Sequence, residues 1–197
     1  MCLCKKEGGK QFIRHYTNVY ALFRILGGGF KFGQPREDWD DLNDVFTLNK
    51  YGEIEQKKVY IICFCSGLGN AHHWFYYGNR SSSAQYENCW DNIKCNIKLD
   101  RLKFEKLLKS RGLELKPVKY AITNEEASKR GHPIHEILEK ALKSEEDLCL
   151  LKRSEYEIEK EWRIVVLKNP DEEEPAPIDN FMDCIEQISL LVDRESL

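Results

Sequence analysis

Apolar positions along the chain recur at two spacings. Val19, Leu22, Phe23 and Leu26 lie three and four residues apart, which places them on one helix face. Before them Gln11–Tyr16 reads as a short strand and Thr17 as an N-cap; after them Gly27-Gly28-Gly29 ends the helix. Ile93, Cys95, Ile97 and Leu99 instead alternate with polar residues, as in a half-buried strand. Asp100 then offers a cap for a helix bearing Phe104, Leu107 and Leu108 and stopped by Gly112. Further strands are predicted at Phe30–Phe32, Val59–Cys65, Val118–Thr123, Glu161–Leu167 and Ile185–Val192. Further helices are predicted at Ala71–Tyr77, at Glu145–Lys152, and behind Pro133, where Ile134, Ile137, Leu138, Ala141 and Leu142 form an apolar face. Strands and helices mix without a strict βαβ rhythm. The expected class is therefore α+β, a single domain of mixed or antiparallel sheets flanked by helices.

Length and composition narrow this picture. A chain of 197 residues suits one domain over 1–197, with 1–10 disordered and 80–88 and 169–178 as surface loops. Such a chain buries roughly 70% of its unfolded surface, so its core requires no staple. That bears on the eight cysteines. The opening MCLCKKEGGK has no apolar signal core, so reduced thiols and a cytoplasmic location are expected. The longest apolar run, Val59–Cys65, is far short of the ~18–20 residues of a membrane span. A net charge of -3 argues against a protein built to coat nucleic acid. Lys94–Lys119 nevertheless carries nine Lys and Arg against three Asp and Glu. That excess reads either as a face steering an anion such as a nucleotide or nucleic acid, or as solvated surface.

The most informative segment is Tyr156-Glu-Ile-Glu-Lys-Glu-Trp-Arg-Ile-Val-Val. Strand alternation sets Glu159, Glu161 and Arg163 on one face, with Trp162 and Ile164 on the other, toward the core. Three ionisable residues backed by a buried face suggest a pocket wall. The alternative is a solvated face with a Glu–Arg pair contributing about 0–1 kcal/mol. Arg14-His15-Tyr16-Thr17 lies at a strand-to-helix junction, where a histidine either donates to a ligand or ties down the loop. The helix N-terminus there exposes backbone N–H groups. Cys63-Phe-Cys-Ser66 precedes an aromatic stretch in which Trp74, Tyr76 and Tyr77 either stack on a flat ring or fill core. Trp39-Asp-Asp-Leu-Asn-Asp44 lacks the EF-hand spacing and reads as helix capping. The chain has no Walker lysine loop and no G-x-G-x-x-G, and no metal site is expected.

In order, these segments resemble the bacterial and phage domain-of-unknown-function family 2971, over about Phe12 to Val192. The resemblance is carried by His15-Tyr16-Thr17 with Ile25-Leu26, by Asn43-Asp44, by Cys63-Phe64-Cys65-Ser66, by Trp74 to Tyr77, and by Glu159-Lys-Glu161-Trp-Arg163. Cys65 is an extra residue within the Cys-Phe-Ser element, and Val45 stands where the family has proline. More distantly, the motif order resembles ADP-ribosyltransferase folds, which carry a His or Arg on the first strand, then Ser or Tyr positions, then a late Glu, often Glu-x-Glu. That resemblance implies an ADP-ribosyltransferase-like fold and NAD as the cofactor. It implies His15 or Arg14 on a ribose, with Tyr16 and Thr17 beside it. Trp74 or Tyr77 would stack on nicotinamide, and Ser66 would brace the site. Glu161 becomes the key carboxylate, Glu159 the orienting group or base, and Arg163 a partner of Glu161 or of a phosphate.

The implied function is an NAD-dependent ADP-ribosyltransferase-like enzyme, a toxin or phage-defence effector, with nucleic acid or protein as acceptor. A non-catalytic nucleotide or nucleic-acid binding module is the alternative. A metal-dependent hydrolase or nuclease using Asp44, His15 and the glutamates is the third. The chemistry of the first is coherent: breaking the nicotinamide–ribose bond builds positive charge on the ribose, and a nearby carboxylate stabilises that charge more than the ground state. It requires His15 and Glu161 to converge on one cleft. It also predicts that Glu161→Gln abolishes activity while moving the melting temperature by only a few degrees.

Overall fold

A computed structural model describes residues 11–35, 56–66, 74, 93–120, 149–152 and 154–191, without the side chain at 155. The predicted helix behind Pro133, the Trp39–Asp44 turn, the loop at 80–88, residues 1–10 and, apart from Trp74, the Ala71–Tyr77 helix lie outside the described residues.

The chain enters as strand β1 (Phe12–Asn18) and turns into helix α1 (Val19–Gly28). The cap is Asn18, not Thr17: Asn18 Oδ1 accepts from the Ala21 N–H at 2.8 Å. Thr17 is held back in the strand, because β1 stays paired through Thr17↔Cys95 and Asn18↔Lys94. The later start turns the buried stripe toward Val19, Leu22 and Ile25, and leaves Phe23 66% exposed. Gly29 ends the helix at φ +86, where a Cβ would lie 2.7 Å from the Ile178 carbonyl oxygen. That close approach lets Phe30 and Ile178 exchange backbone hydrogen bonds of 3.1 and 2.9 Å. Phe30–Phe32 is therefore not the predicted strand; Phe30↔Ile178 and Gly33↔Ile61 are isolated bridges.

The later elements are β2 (Lys58–Ser66), β3 (Lys94–Asp100), α2 (Arg101–Lys109), β4 (Lys116–Pro117), β5 (Lys119–Tyr120), β6 (Leu151–Lys152), β7 (Glu161–Lys168) and β8 (Ile185–Leu191). Six strands form a mostly antiparallel sheet in the order β4-β7-β2-β1-β3-β8, and β5 and β6 pair separately, in parallel. The class is mixed α and β, with two helices among the described residues. None of these helices is long and apolar enough to cross a membrane.

The described residues fall into two compact units. The first holds 11–31, 63–66, 74, 93–114 and 176–191. Paired residues on neighbouring strands point the same way, so Ile13, His15 and Thr17 share a face with Leu99, Ile97 and Cys95. Ile13, Cys95, Ile97 and Leu99 have no exposed surface. The core of this unit is aromatic: Phe30 meets Phe181 at 4.5 Å, and Phe64 meets Phe104 at 5.3 Å between ring centroids. Helix α2 buries Phe104 and Leu108 and is capped as the sequence predicts, with Asp100 Oδ1 accepting from the Lys103 N–H at 3.1 Å. The Arg111 guanidinium donates to the carbonyls of Pro177 and Asp179 and to the Asp179 carboxylate.

The second unit holds 32–35, 56–62, 115–120, 149–152 and 154–175. Here Lys116 and Pro117 pair with Arg163 and Trp162, and Lys119 and Tyr120 then pair with Leu151 and Lys152. The strand predicted over Val118–Thr123 is thus confined to Lys119–Tyr120 within the described part, and 121–123 lie outside it. The Glu145–Lys152 helix is corrected at its described end, where Leu151–Lys152 is strand β6 because parallel pairing with β5 claims its backbone. A 3-10 turn over Ser154–Glu159 and Lys160 at φ 47 lead into β7. Asn169–Pro177 is turn and irregular chain.

Candidate functional site

Glu161 opens β7 and Arg163 follows two positions later, so both side chains leave the strand on one side. That side is not solvated: Glu161 is 3% exposed and Arg163 1%. A charge withdrawn from water has to be paired and hydrogen-bonded. Arg163 Nε donates to Glu161 Oε1 at 2.8 Å and Nη2 to Oε2 at 3.3 Å, the two-pronged geometry that suits a carboxylate. Its Nη1 donates to the Cys149 carbonyl at 2.9 Å. Ile164 turns into the core as expected, whereas Trp162, opposite Pro117, is only half-buried.

Glu159 is not on the strand. It ends the 3-10 turn, and the left-handed backbone of Lys160 separates it from β7. The two glutamates converge nonetheless, because Lys152 on β6 reaches both. Its Nζ donates to Glu159 Oε2 at 2.6 Å and to Glu161 Oε2 at 3.1 Å. The same ammonium lies 4.7 Å from the centre of the Tyr156 ring. Tyr120, Lys152's cross-strand partner, closes the group by accepting the Glu161 N–H on its hydroxyl at 2.7 Å. Burial raises the Tyr120 pKa, and the negative charges of Glu161 and Glu159 raise it further, so the phenol keeps its proton. Among the described residues, two acids and two bases thus share one buried cluster.

His15 belongs to the first unit and Glu161 to the second. His15 Nδ1 lies 2.9 Å from the Cys63 carbonyl oxygen. A carbonyl only accepts, so Nδ1 carries the proton and Nε2 of the neutral ring is an acceptor. The ring meets Phe30 at 5.2 Å, nearly edge-on, and Phe64 at 5.5 Å. Burial lowers the pKa from its ordinary 6.5, against a smaller opposing pull from the Cys63 bond.

Strand alternation divides the residues assigned to a nucleotide site. Ser66 pairs with Ile13, which places it on the face of His15 and Thr17. Arg14 and Tyr16 take the opposite face, with Arg14 across from Cys65. There Tyr16 meets Trp74 at 5.3 Å with the rings at 88°, and burial pushes its phenol up to about 12. Tyr77 lies outside the described residues.

Lys152 and Tyr120 are the members that sequence reasoning missed. A helix predicted through Lys152 gives it no strand pairing with Tyr120. The available signal was a single lysine closing the apolar run Cys149-Leu-Leu, with acids seven and nine positions on.

Much of the positive charge of Lys94–Lys119 is engaged within the first unit. Arg101 pairs with Glu105 at 3.3 Å, Lys98 lies 3.9 Å from the centre of the Phe12 ring, and Lys103 donates to the Asp183 carbonyl at 3.3 Å. Lys106 and Lys109 occupy the last turn of α2, where the helix dipole favours cations. Cys95 and Cys184 are free thiols. No family model, no curated protein and no solved structure matches the chain.

Proposed function

We propose that the chain is an NAD-dependent ADP-ribosyltransferase-like enzyme of the family-2971 type, with an ADP-ribosyltransferase-like fold. It acts in the cytoplasm as a toxin or phage-defence effector on a nucleic-acid or protein acceptor. The observation that carries the reading is the Glu159–Glu161 pair gathered on Lys152. Two carboxylates at a water-poor position suit a reaction that builds positive charge on a ribose. Their charge is already oriented, so no solvent has to reorganise as the bond breaks. Arg163 holds Glu161 at both oxygens, which fixes the orientation of the carboxylate. Glu159 is the base that takes the acceptor's proton. NAD supplies the activated nicotinamide–ribose bond.

The 2% and 3% exposures of Glu159 and Glu161 favour a second reading, because they leave little carboxylate surface for a substrate. That reading is a non-catalytic nucleotide or nucleic-acid binding module. Labelled NAD, incubated with the full chain and a broad acceptor extract, separates the two. Nicotinamide release with label transfer is the expected result. Saturable NAD binding without turnover supports the module, and neither binding nor turnover removes both readings.

A further inference from the structure

We propose that Lys152 is the positioning residue of the glutamate pair: its ammonium gathers Glu159 and Glu161 onto one point and sets the separation at which they act. What the pair does rests on the enzyme reading above; how the pair is held does not. The three residues come from three elements. Glu159 ends a 3-10 turn, Glu161 begins β7, and Lys152 sits on a two-residue strand fixed by pairing with Tyr120. Backbone geometry alone does not bring the two carboxylates together, since Lys160 at φ 47 interrupts the alternation between them. In a site this poor in water, two like charges repel strongly. One nitrogen at 2.6 and 3.1 Å from the two Oε2 atoms offsets that repulsion and defines where they meet. A compact ammonium does this from a single atom, which a planar guanidinium does not. Among the described residues, Lys152, Arg163 and the Tyr120 phenol face the pair, with the Tyr156 ring against the ammonium.

The test uses Lys152→Met and Lys152→Arg in the full chain, with melting temperature followed from pH 8 to pH 5 beside NAD turnover. In Lys152→Met the carboxylates lose their shared cation, and one takes up a proton as the pH falls. A carboxyl whose folded pKa is raised stabilises the fold at low pH and loses that contribution as the pH rises. This variant is therefore expected to gain melting temperature toward pH 5 relative to wild type, while Lys152→Arg, which keeps the charge, does not. With NAD, kcat falls about 100-fold in Lys152→Met at nearly constant KM, the loss expected from misplaced groups. Lys152→Arg recovers part of it. If Lys152→Met does not fold, Lys152→Met with Glu159→Gln restores the charge balance; it is expected to fold without the acid stabilisation. A wild-type pH profile in Lys152→Met overturns the proposal. So does acid stabilisation with unchanged kcat, which would make Lys152 a structural counter-ion. If wild-type protein releases no nicotinamide, the enzyme reading falls, and the pH profile alone decides whether Lys152 holds the pair.

Discussion

The imidazole of His15 and the carbonyl of Cys63 are joined at 2.9 Å, and that bond makes His15 part of the core as much as part of any site. Because burial depresses its folded pKa below 6.5, His15 contributes stability that is present above pH 6.5. The contribution is lost as the pH falls from there through the lower folded value. Thermal melts between pH 8 and pH 5 should show a decline below about pH 6.5. In His15→Phe that component should vanish. An identical slope in the variant would assign the decline to other groups.

Glu161→Gln should be strongly destabilising. Sequence alone suggested a change of only a few degrees, but the residue anchors Arg163 and Lys152 where water is nearly absent. Removing one member of a buried ion pair costs about 3–5 kcal/mol. At ~2–4 °C per kcal/mol for a chain of this size, calorimetry should register a drop of roughly 6–20 °C. Glu173→Gln, on the exposed loop, should stay within about 0.5 kcal/mol of wild type. Near-equal melting temperatures for the two variants would refute the buried network.

Two neighbouring glycines should respond in opposite directions. Gly29→Ala places a Cβ against the Ile178 carbonyl at φ +86 and should cost about 1–3 kcal/mol in chemical denaturation. Gly28 is helical with no atom within 4 Å of its would-be Cβ, so Gly28→Ala should stabilise by about 0.4–1 kcal/mol. Equal effects would mean that the chain does not turn at Gly29 as described.

Cysteine labelling gives a further check. Burial pushes the Cys95 thiol up to about 11, so its thiolate fraction at pH 8 is roughly one in a thousand. Mass spectrometry after brief alkylation of native protein should find the half-buried Cys63 modified before Cys95, which is labelled only on unfolding. Comparable rates at both positions would contradict the register that buries Cys95 on β3.

Residue order alone determined what depends on near neighbours. The cap at Asp100 and the apolar stripe of α2 follow from spacings of three and four positions and occur where those spacings predict, whereas β3 is a strand as expected but buries Asn96 on its polar side as well. The shared side of Glu161 and Arg163 has the same origin. Tertiary structure decided what depends on distant segments. The α1 cap moved to Asn18 because β3, some eighty positions away, keeps Thr17 in its ladder. The charged side of β7 became interior because β5 and β6 supply Tyr120 and Lys152 to cover and neutralise it. Whether a carboxylate faces water or an ammonium is a property of what excludes the solvent, and here the excluding groups lie far from Glu161 along the chain.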